Sequence, residues 1–275
     1  MDRELKLTLL IEDSPTGGGL ISEHGLSFWI ESAGTKILFD TGQSGAFIQN
    51  AQKLGIDLSS ADAIVLSHGH YDHAGGLAEV LKIARNADIY LHPAALKPKF
   101  SLKPGGAKFN GMSPEAIEAL NGRHIIWTEK PVQISENVSV TGQIPRLTDF
   151  EDTGPSFFTG SDCRELDLIP DDQSIFIDTD KGLAVLPGCA HSGVINTLKY
   201  ISRITGRGRI YAVIGGTHLL RSGRKRINKT IEGLRQYNVE QIYPLHCTGP
   251  DAAAIFSREM PGNCMTLATG GSVVF

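Results

Sequence analysis

The chain is poor in cysteine: Cys163, Cys189, Cys247 and Cys264 are its only four, widely separated and with no CxxC pair. That excludes a disulfide framework and a cysteine-rich zinc knuckle, and reduced thiols are expected. Long apolar runs are also missing. The opening MDRELKLTLLIEDSP scatters charges among its apolar residues, unlike a signal peptide, and no later run approaches the ~20 residues of a membrane helix. The expectation is a cytoplasmic protein without a membrane partner. An excess of positive charge is absent too. With 26 Lys and Arg against 30 Asp and Glu, the formal charge is −4, which argues against nucleic acid as the partner, since that partnership ordinarily uses a basic face to release counterions. Repeats, low-complexity tracts and an interdomain linker are lacking as well. The 275 residues, 41% of them hydrophobic, are therefore expected to form one globular domain over 1–275 with a sizeable core.

What is present alternates strand and helix patterns. LKLTLLIED and LSFWIESAGTKILFDTG predict strands, with SAGTK as a hairpin turn. SGAFIQNAQKLGIDLSSA has helical spacing, AIVLS is a buried strand, GGLAEVLKIARNA a helix and DIYLHP a strand. The pattern resumes with GLAVLPG, a helix from about Gly193 to Thr205, RIYAVIGG, a helix near Lys229 to Tyr237, and QIYPLH. Such alternation indicates an α/β domain. Two stretches interrupt it. Residues 97–123 are rich in Pro, Gly and Lys and predict an inserted flap, with one helix, SPEAIEAL, opened by a Ser cap and a Pro. Residues 146–172 carry eight acids and predict a long loop between hairpin elements.

The densest chemical signal is VLSHGHYDHAGGL, which places His68, His70, Asp72 and His73 in the loop leaving a strand. A single loop histidine is ordinarily a hydrogen-bonded or half-exposed residue; three with an aspartate in six positions call for another account. Imidazole nitrogens and a carboxylate suit zinc, manganese or ferrous iron, and alternate residues of an extended loop project to one side. His68 and His70 thus face one ion, and Asp72 and His73 a second. Four local ligands do not close two sites. The remaining candidates each follow an apolar run: His191 in LAVLPGCAHSG, His218 in YAVIGGTHLL and His246 in IYPLHCTG. Strand ends of an α/β sheet converge on one edge, where ligands generally bind.

SHGHYDHAGG resembles the signature of the metallo-β-lactamase superfamily. EHGLSFWI, FDTG, TGQIPR, GCAHSGVINTL, GGTHL and HCTG are similar to its branch of 7,8-dihydropterin-6-methyl-4-(β-D-ribofuranosyl)aminobenzene-5′-phosphate synthase-like metal-dependent hydrolases. The resemblance, spanning His24 to Gly249, implies a four-layer αββα sandwich. It implies a dinuclear centre with His68, His70 and His191 at one metal and Asp72, His73 and His246 at the other. Where typical two-metal members carry a bridging Asp, this chain has Cys189. A thiolate can ligate zinc; a buried inert thiol is the alternative, with Glu151 or Asp152 then supplying an oxygen. Asp40 resembles the early-strand aspartate that orients the histidine loop.

Two divalent ions, zinc first with manganese or iron as alternatives, would yield a hydroxide nucleophile at neutral pH and polarise a phosphoryl or carbonyl oxygen. Asp72 is then the candidate to orient that hydroxide and accept a proton, and His218 to bond a substrate oxygen or protonate a leaving group. His24 is a candidate for the pocket wall, and Arg221 and Arg224 in RSGRKRINK for binding a phosphate. The flap, with Phe100 and Phe109, is expected to close over an aromatic or pterin-like group. The expected function is a metal-dependent hydrolase, or related transferase, acting on a small phosphorylated or heterocyclic molecule, with a homo-oligomer left open. The alternatives are a di-iron redox protein reducing oxygen or nitric oxide, for which no flavin domain is expected after Phe275, and a metal-retaining binding protein without turnover.

Overall fold

The computed structural model describes residues 4–14, 17–152 and 156–275. Period-two alternation sorts its strand residues between two packing layers. Leu5, Leu7 and Leu9 of the first strand pack in the layer between the sheets, while Leu10 and Ile11 pack against helices. Seven strands form one sheet in the order Ser272–Val274, Leu5–Ile11, Ser27–Ser32, Thr35–Phe39, Ala63–Val65, Asp88–Leu91 and Ile125–Trp127. Six form the other, in the order Gln241–Leu245, Ile210–Gly216, Gly182–Pro187, Ser174–Thr179, Val138–Val140 and Val132–Gln133.

The sheets face each other across Phe28, Phe39, Val65, Ile175, Ala184, Leu186 and Ile214, all buried. Helices Ala46–Lys53, Leu77–Ile83 and Pro114–Ala119 cover the outside of the first sheet. Helices Val194–Thr205, Arg224–Gln236 and Pro250–Glu259 cover the second. This is the expected four-layer αββα sandwich. In both sheets the strands joined through helices run parallel: Thr35–Phe39 through Ile125–Trp127 in one, Gly182–Pro187 through Gln241–Leu245 in the other. A parallel connection returns the chain to the same end of the sheet, so successive strand ends, and the histidines that follow them, share an edge. No helix among the described residues is long and apolar enough to cross a membrane.

Three expectations need adjustment. Of the flap expected over 97–123, only the hairpin Phe100–Lys103 and Gly106–Phe109 stands apart, in a small sheet completed by Phe157–Phe158. The helix that follows is capped by Ser113 and packs Ala116 and Leu120 into the core. The acidic stretch 146–172, whose residues 153–155 lie outside the described ones, is the expected loop interrupted by the strand Phe157–Phe158, and it buries Glu151, Asp167, Asp171 and Asp172. The helix expected near Lys229 begins earlier, at Arg224, after a glycine whose cap position forms no side-chain hydrogen bond. That weak start signal hid the boundary.

Candidate metal centre

The strand Ala63–Val65 ends two residues before Ser67, and the chain bends at Ser67 and Gly69 on its way to His70, the N-cap position of the short helix Tyr71–Ala74. The helical turn then brings the His73 ring back beside His68, with 4.3 Å between centroids. His73 is anchored by its backbone, its carbonyl accepting both the N–H and the hydroxyl of Thr41. From the other sheet, Gly182–Pro187 delivers Cys189 and His191, Ile210–Gly216 delivers His218, and Gln241–Leu245 delivers His246. Left-handed residues with a Cβ stand just past strand ends here: Asp40 (φ 59°) after Thr35–Phe39, and Ala190 (53°), His218 (51°) and His246 (47°) after the strands of the other sheet. Such backbone is uncommon outside glycine and clusters at functional sites.

Two adjacent donor sets result. In the first, His68, His70 and His191 bring one ring nitrogen each within 4.8 Å of the others, and His68 Nε2 lies 2.9 Å from His70 Nδ1. Both nitrogens of His191 and Nε2 of His70 are buried without a hydrogen-bond partner. Burial lowers the pKa of His70 to about 4, and burial with the neighbouring histidines pushes His191 well down, so both rings are neutral. A neutral imidazole has one lone pair, and the unpartnered one on buried His191 is costly unless a cation accepts it; a divalent ion beside His68 Nε2 and His70 Nδ1 fits. In the second set, His73 Nε2 is 3.3 Å from His246 Nε2, and Asp72 Oδ2 is 3.4 Å from His246 Nε2 and 3.9 Å from His73 Nε2. A tetrahedral ion with bonds near 2.0–2.1 Å separates its ligand atoms by roughly 3.3–3.4 Å, so this set fits an ion as well. Cys189 Sγ lies 3.1 Å from His73 Nε2 and groups with His68 and His73, between the two sets.

Buried acids orient these rings. Asp40 accepts from Ser67 N–H, from Ser67 Oγ and from His73 Nδ1, each at 2.7 Å. Ser67 Oγ in turn lies 2.9 Å from His68 Nδ1. One carboxylate thus holds protons at the Nδ1 atoms of two histidines, leaving Nε2 of each with a free lone pair. His246 is held the same way. Its Nδ1 donates to Asp13 at 2.5 Å and its N–H to Glu12 at 2.9 Å. Asp13 also meets His24 Nδ1 at 2.8 Å, and His24 Nε2 reaches Asp72 Oδ2 at 3.2 Å. The bonds to Asp13 and then Asp72 raise His24 to about 9. Burial alone would raise Asp13, but the bonds from His24 and His246 hold it well below the carboxylate range.

Asp13, Glu12 and Ser67 escaped the sequence reading, although IED is an acid pair at the end of an apolar strand, the same signal that exposed the histidines. Glu151 and Asp152, the alternative oxygen donors should Cys189 not ligate, are engaged elsewhere. Glu151 accepts the N–H groups of Ile195 and Asn196 and so caps the helix Val194–Thr205, while Asp152 pairs with Arg226.

A cavity of about 800 Å³ opens over both donor sets, walled by His24, Tyr71, Phe150, Phe157, His218 and Arg221, with Lys103 and Lys108 from the hairpin. Phe157 stacks on His70 at 5.1 Å between centroids. His218 lies 4.3 Å from the His191 ring, belongs to neither donor set, and buries Nε2 without a partner. Burial, then the nearby Arg226, lowers it to about 3. Arg224 departs from expectation. It bonds Asn228 and Glu259 and is not among the cavity-lining residues, which include Lys225, Arg226 and Lys229. Helical rotation turns position 224 away from the side shared by its neighbours.

Comparison with known proteins agrees with this geometry. The sequence profile of the metallo-beta-lactamase superfamily matches residues 22–195. The 7,8-dihydropterin-6-methyl-4-(beta-D-ribofuranosyl)-aminobenzene-5′-phosphate synthase of Methanocaldococcus jannaschii is 34% identical, covering 92% of this chain and 90% of its own. The crystal structure of Tm1679, described as a metal-dependent hydrolase of the beta-lactamase superfamily, is 33% identical and covers 98% of both chains with a TM-score of 0.85. That of YhfI from Bacillus subtilis, a metallo-beta-lactamase fold protein, shares the fold at 12% identity, 100% coverage of both chains and a TM-score of 0.62. Two sheets whose strand ends bring histidines and an aspartate together, and a profile match over more than half of the residues, lead to one assignment: the chain belongs to the metallo-beta-lactamase superfamily.

Proposed function

We propose that the protein is a metal-dependent hydrolase, or a transferase of related chemistry, holding two divalent ions, zinc foremost, and acting on a small anionic substrate with an aromatic or pterin-like part. The observation that carries this reading is the pair of adjoining donor sets under a cavity with basic and aromatic walls. Bound divalent ions would supply Lewis acidity and make water acidic enough to ionise at neutral pH.

The chain's own residues supply the rest. Burial opposes ionisation of Asp72, yet His73, His24 and His246 hold its pKa well below the usual range. It is therefore a carboxylate, able to accept a hydrogen bond from an attacking water and then its proton. His218 is neutral, so its role is to donate a hydrogen bond from Nε2 to a substrate oxygen rather than to arrive as a charged acid. Arg221, Lys225, Lys103 and Lys108 present cations around the cavity and suit a phosphate. Phe157 and Tyr71 offer ring faces to a flat heterocycle. The relative that makes a pterin-linked phosphate supports the same substrate class.

The test is a metal-replete screen over phosphoesters, lactones, thioesters and pterin phosphates. Turnover of an anionic ester is expected, and Asp72→Ala should abolish it without unfolding the chain. A folded protein carrying two ions but turning over none of these would instead be a binding protein.

A further inference from the structure

We propose that Asp171, balanced by the buried flap residue Lys99, is a positioning residue that braces the His68–His70 segment; the inference rests on reading that segment as part of the metal centre. Lys99 is 2% exposed. A buried ammonium is costly unless paired, and Nζ lies 2.7 Å from Asp171 Oδ1 and 3.1 Å from Asp167 Oδ2. A buried ion cluster contributes little net stability compared with apolar residues of the same shape, so stability alone does not account for it. What it holds does.

The second oxygen of Asp171 accepts the N–H of Gly69 at 2.8 Å, the peptide between two of the metal donors. A Cβ on Gly69 would stand 2.2 Å from the carbonyl oxygen of Ala95. This peptide is therefore pressed against one backbone and bonded to a carboxylate. The rest of the cluster reaches the same histidines by another route. The N–H of Asp167 donates to the carbonyl of Phe157 at 2.9 Å, fixing the strand whose ring covers His70 and lies 5.2 Å from His191.

The hairpin is fastened to the segment at both feet. At one is Lys99. At the other, Asn110 donates its N–H to the Lys99 carbonyl at 3.0 Å and accepts the N–H of Tyr71 at 3.0 Å. The hairpin that carries Lys103 and Lys108 into the cavity thus stands on the residues that would hold an ion.

Asp171→Ala tests this, because it leaves Lys99 balanced by Asp167 and removes the oxygen that Gly69 uses. Amide exchange over residues 66–74 is measured on metal-free protein, and zinc affinity by competition with a chelator. The alanine variant should exchange about tenfold faster there and bind zinc about 10–100-fold more weakly, the range found when outer partners of ligands are lost. Lys99→Met/Asp167→Asn/Asp171→Asn, in which no ammonium competes for the amide oxygen, should recover most of both. If alanine prevents folding, Lys99→Met/Asp167→Asn/Asp171→Leu removes all three charges and should show the same two losses. Parental exchange, or zinc affinity within about twofold of the parent, in a folded variant without the acceptor overturns the proposal. A parent chain that binds no zinc would remove the metal reading, while the exchange measurement still decides whether Asp171 braces the segment.

Discussion

Asparagine at position 40 gives a sharp test of how the second donor set is oriented. The Asp40 carboxylate is fully buried and serves three donors at 2.7 Å. With the proton held at Nδ1, Nε2 of His73 directs its lone pair toward Asp72, Cys189 and His246. In Asp40→Asn one oxygen becomes an NH₂ group. The amide oxygen stays with the Ser67 N–H, which cannot turn away, so the NH₂ faces His73 Nδ1. Two donors cannot face each other, and the imidazole must take its other tautomer, with Nε2 protonated and blocked. Backbone strain does not confuse the result, since asparagine tolerates the left-handed conformation at this position (φ 59°). Loss of such a partner costs about 10–100-fold in metal affinity, or about 1.4–2.8 kcal/mol at 1.4 kcal/mol per tenfold, and the weakening should fall mainly on the second ion. Calorimetric zinc titration of chelator-stripped protein, with a melting curve as a check on folding, reads both quantities. Two ions bound with parental affinities by a folded Asp40→Asn chain would refute the reasoning.

Burial pushes Asp172 up to about 6 from 3.8, against the hydrogen bond from Ser192 N–H. An acid raised in the folded state binds a proton that the unfolded chain releases, so metal-free protein should lose stability as pH climbs from about 4 to 6. Asp172→Asn should remove that slope, raising the melting midpoint at pH 7 but not at pH 4; parallel profiles for the two proteins would count against it. Arg221→Ala should raise KM for a phosphorylated substrate by about tenfold or more, as expected for one charged hydrogen bond, whereas Arg224→Ala should leave it unchanged. Equal effects would show the two arginines to be equivalent after all. Gly193→Ala should cost about 3 kcal/mol in denaturant unfolding, combining strain at φ 99° with a Cβ 2.3 Å from Glu151 Cδ; a loss below about 1 kcal/mol would mean that the Glu151 cap yields easily.

The alternation of strands and helices and the histidines at strand ends were legible because apolar runs mark strands and residues just past their ends collect at an edge; the four layers were expected only from the resemblance. Residues that act through folding at a distance were not legible. Asp13 and Glu12 meet His246 across more than 230 positions, and no local spacing announces that. Lys99 read as one of several flap lysines, since only the packed structure shows that its charge is buried. Glu151 looked like a loop acid because its partners are backbone N–H groups, which every sequence has. Arg224 and Arg221 looked alike in a basic run, but Arg221 falls in the turn before the helix and lines the cavity, while Arg224 opens the helix and pairs with Asn228 and Glu259.

The donors come from both halves of the sandwich: His68 to His73 follow the seven-stranded sheet, while Cys189, His191 and His246 follow the six-stranded one. Each filled set would act as a rivet between them. An ion that binds only the folded chain stabilises it by about 2.7 kcal/mol when present at a hundred times its Kd, and here that gain is applied across the seam where the two layers part at the cleft. Chelation should therefore lower the melting midpoint in step with the free zinc concentration, linking the reactivity of the centre to the mechanical integrity of the whole chain.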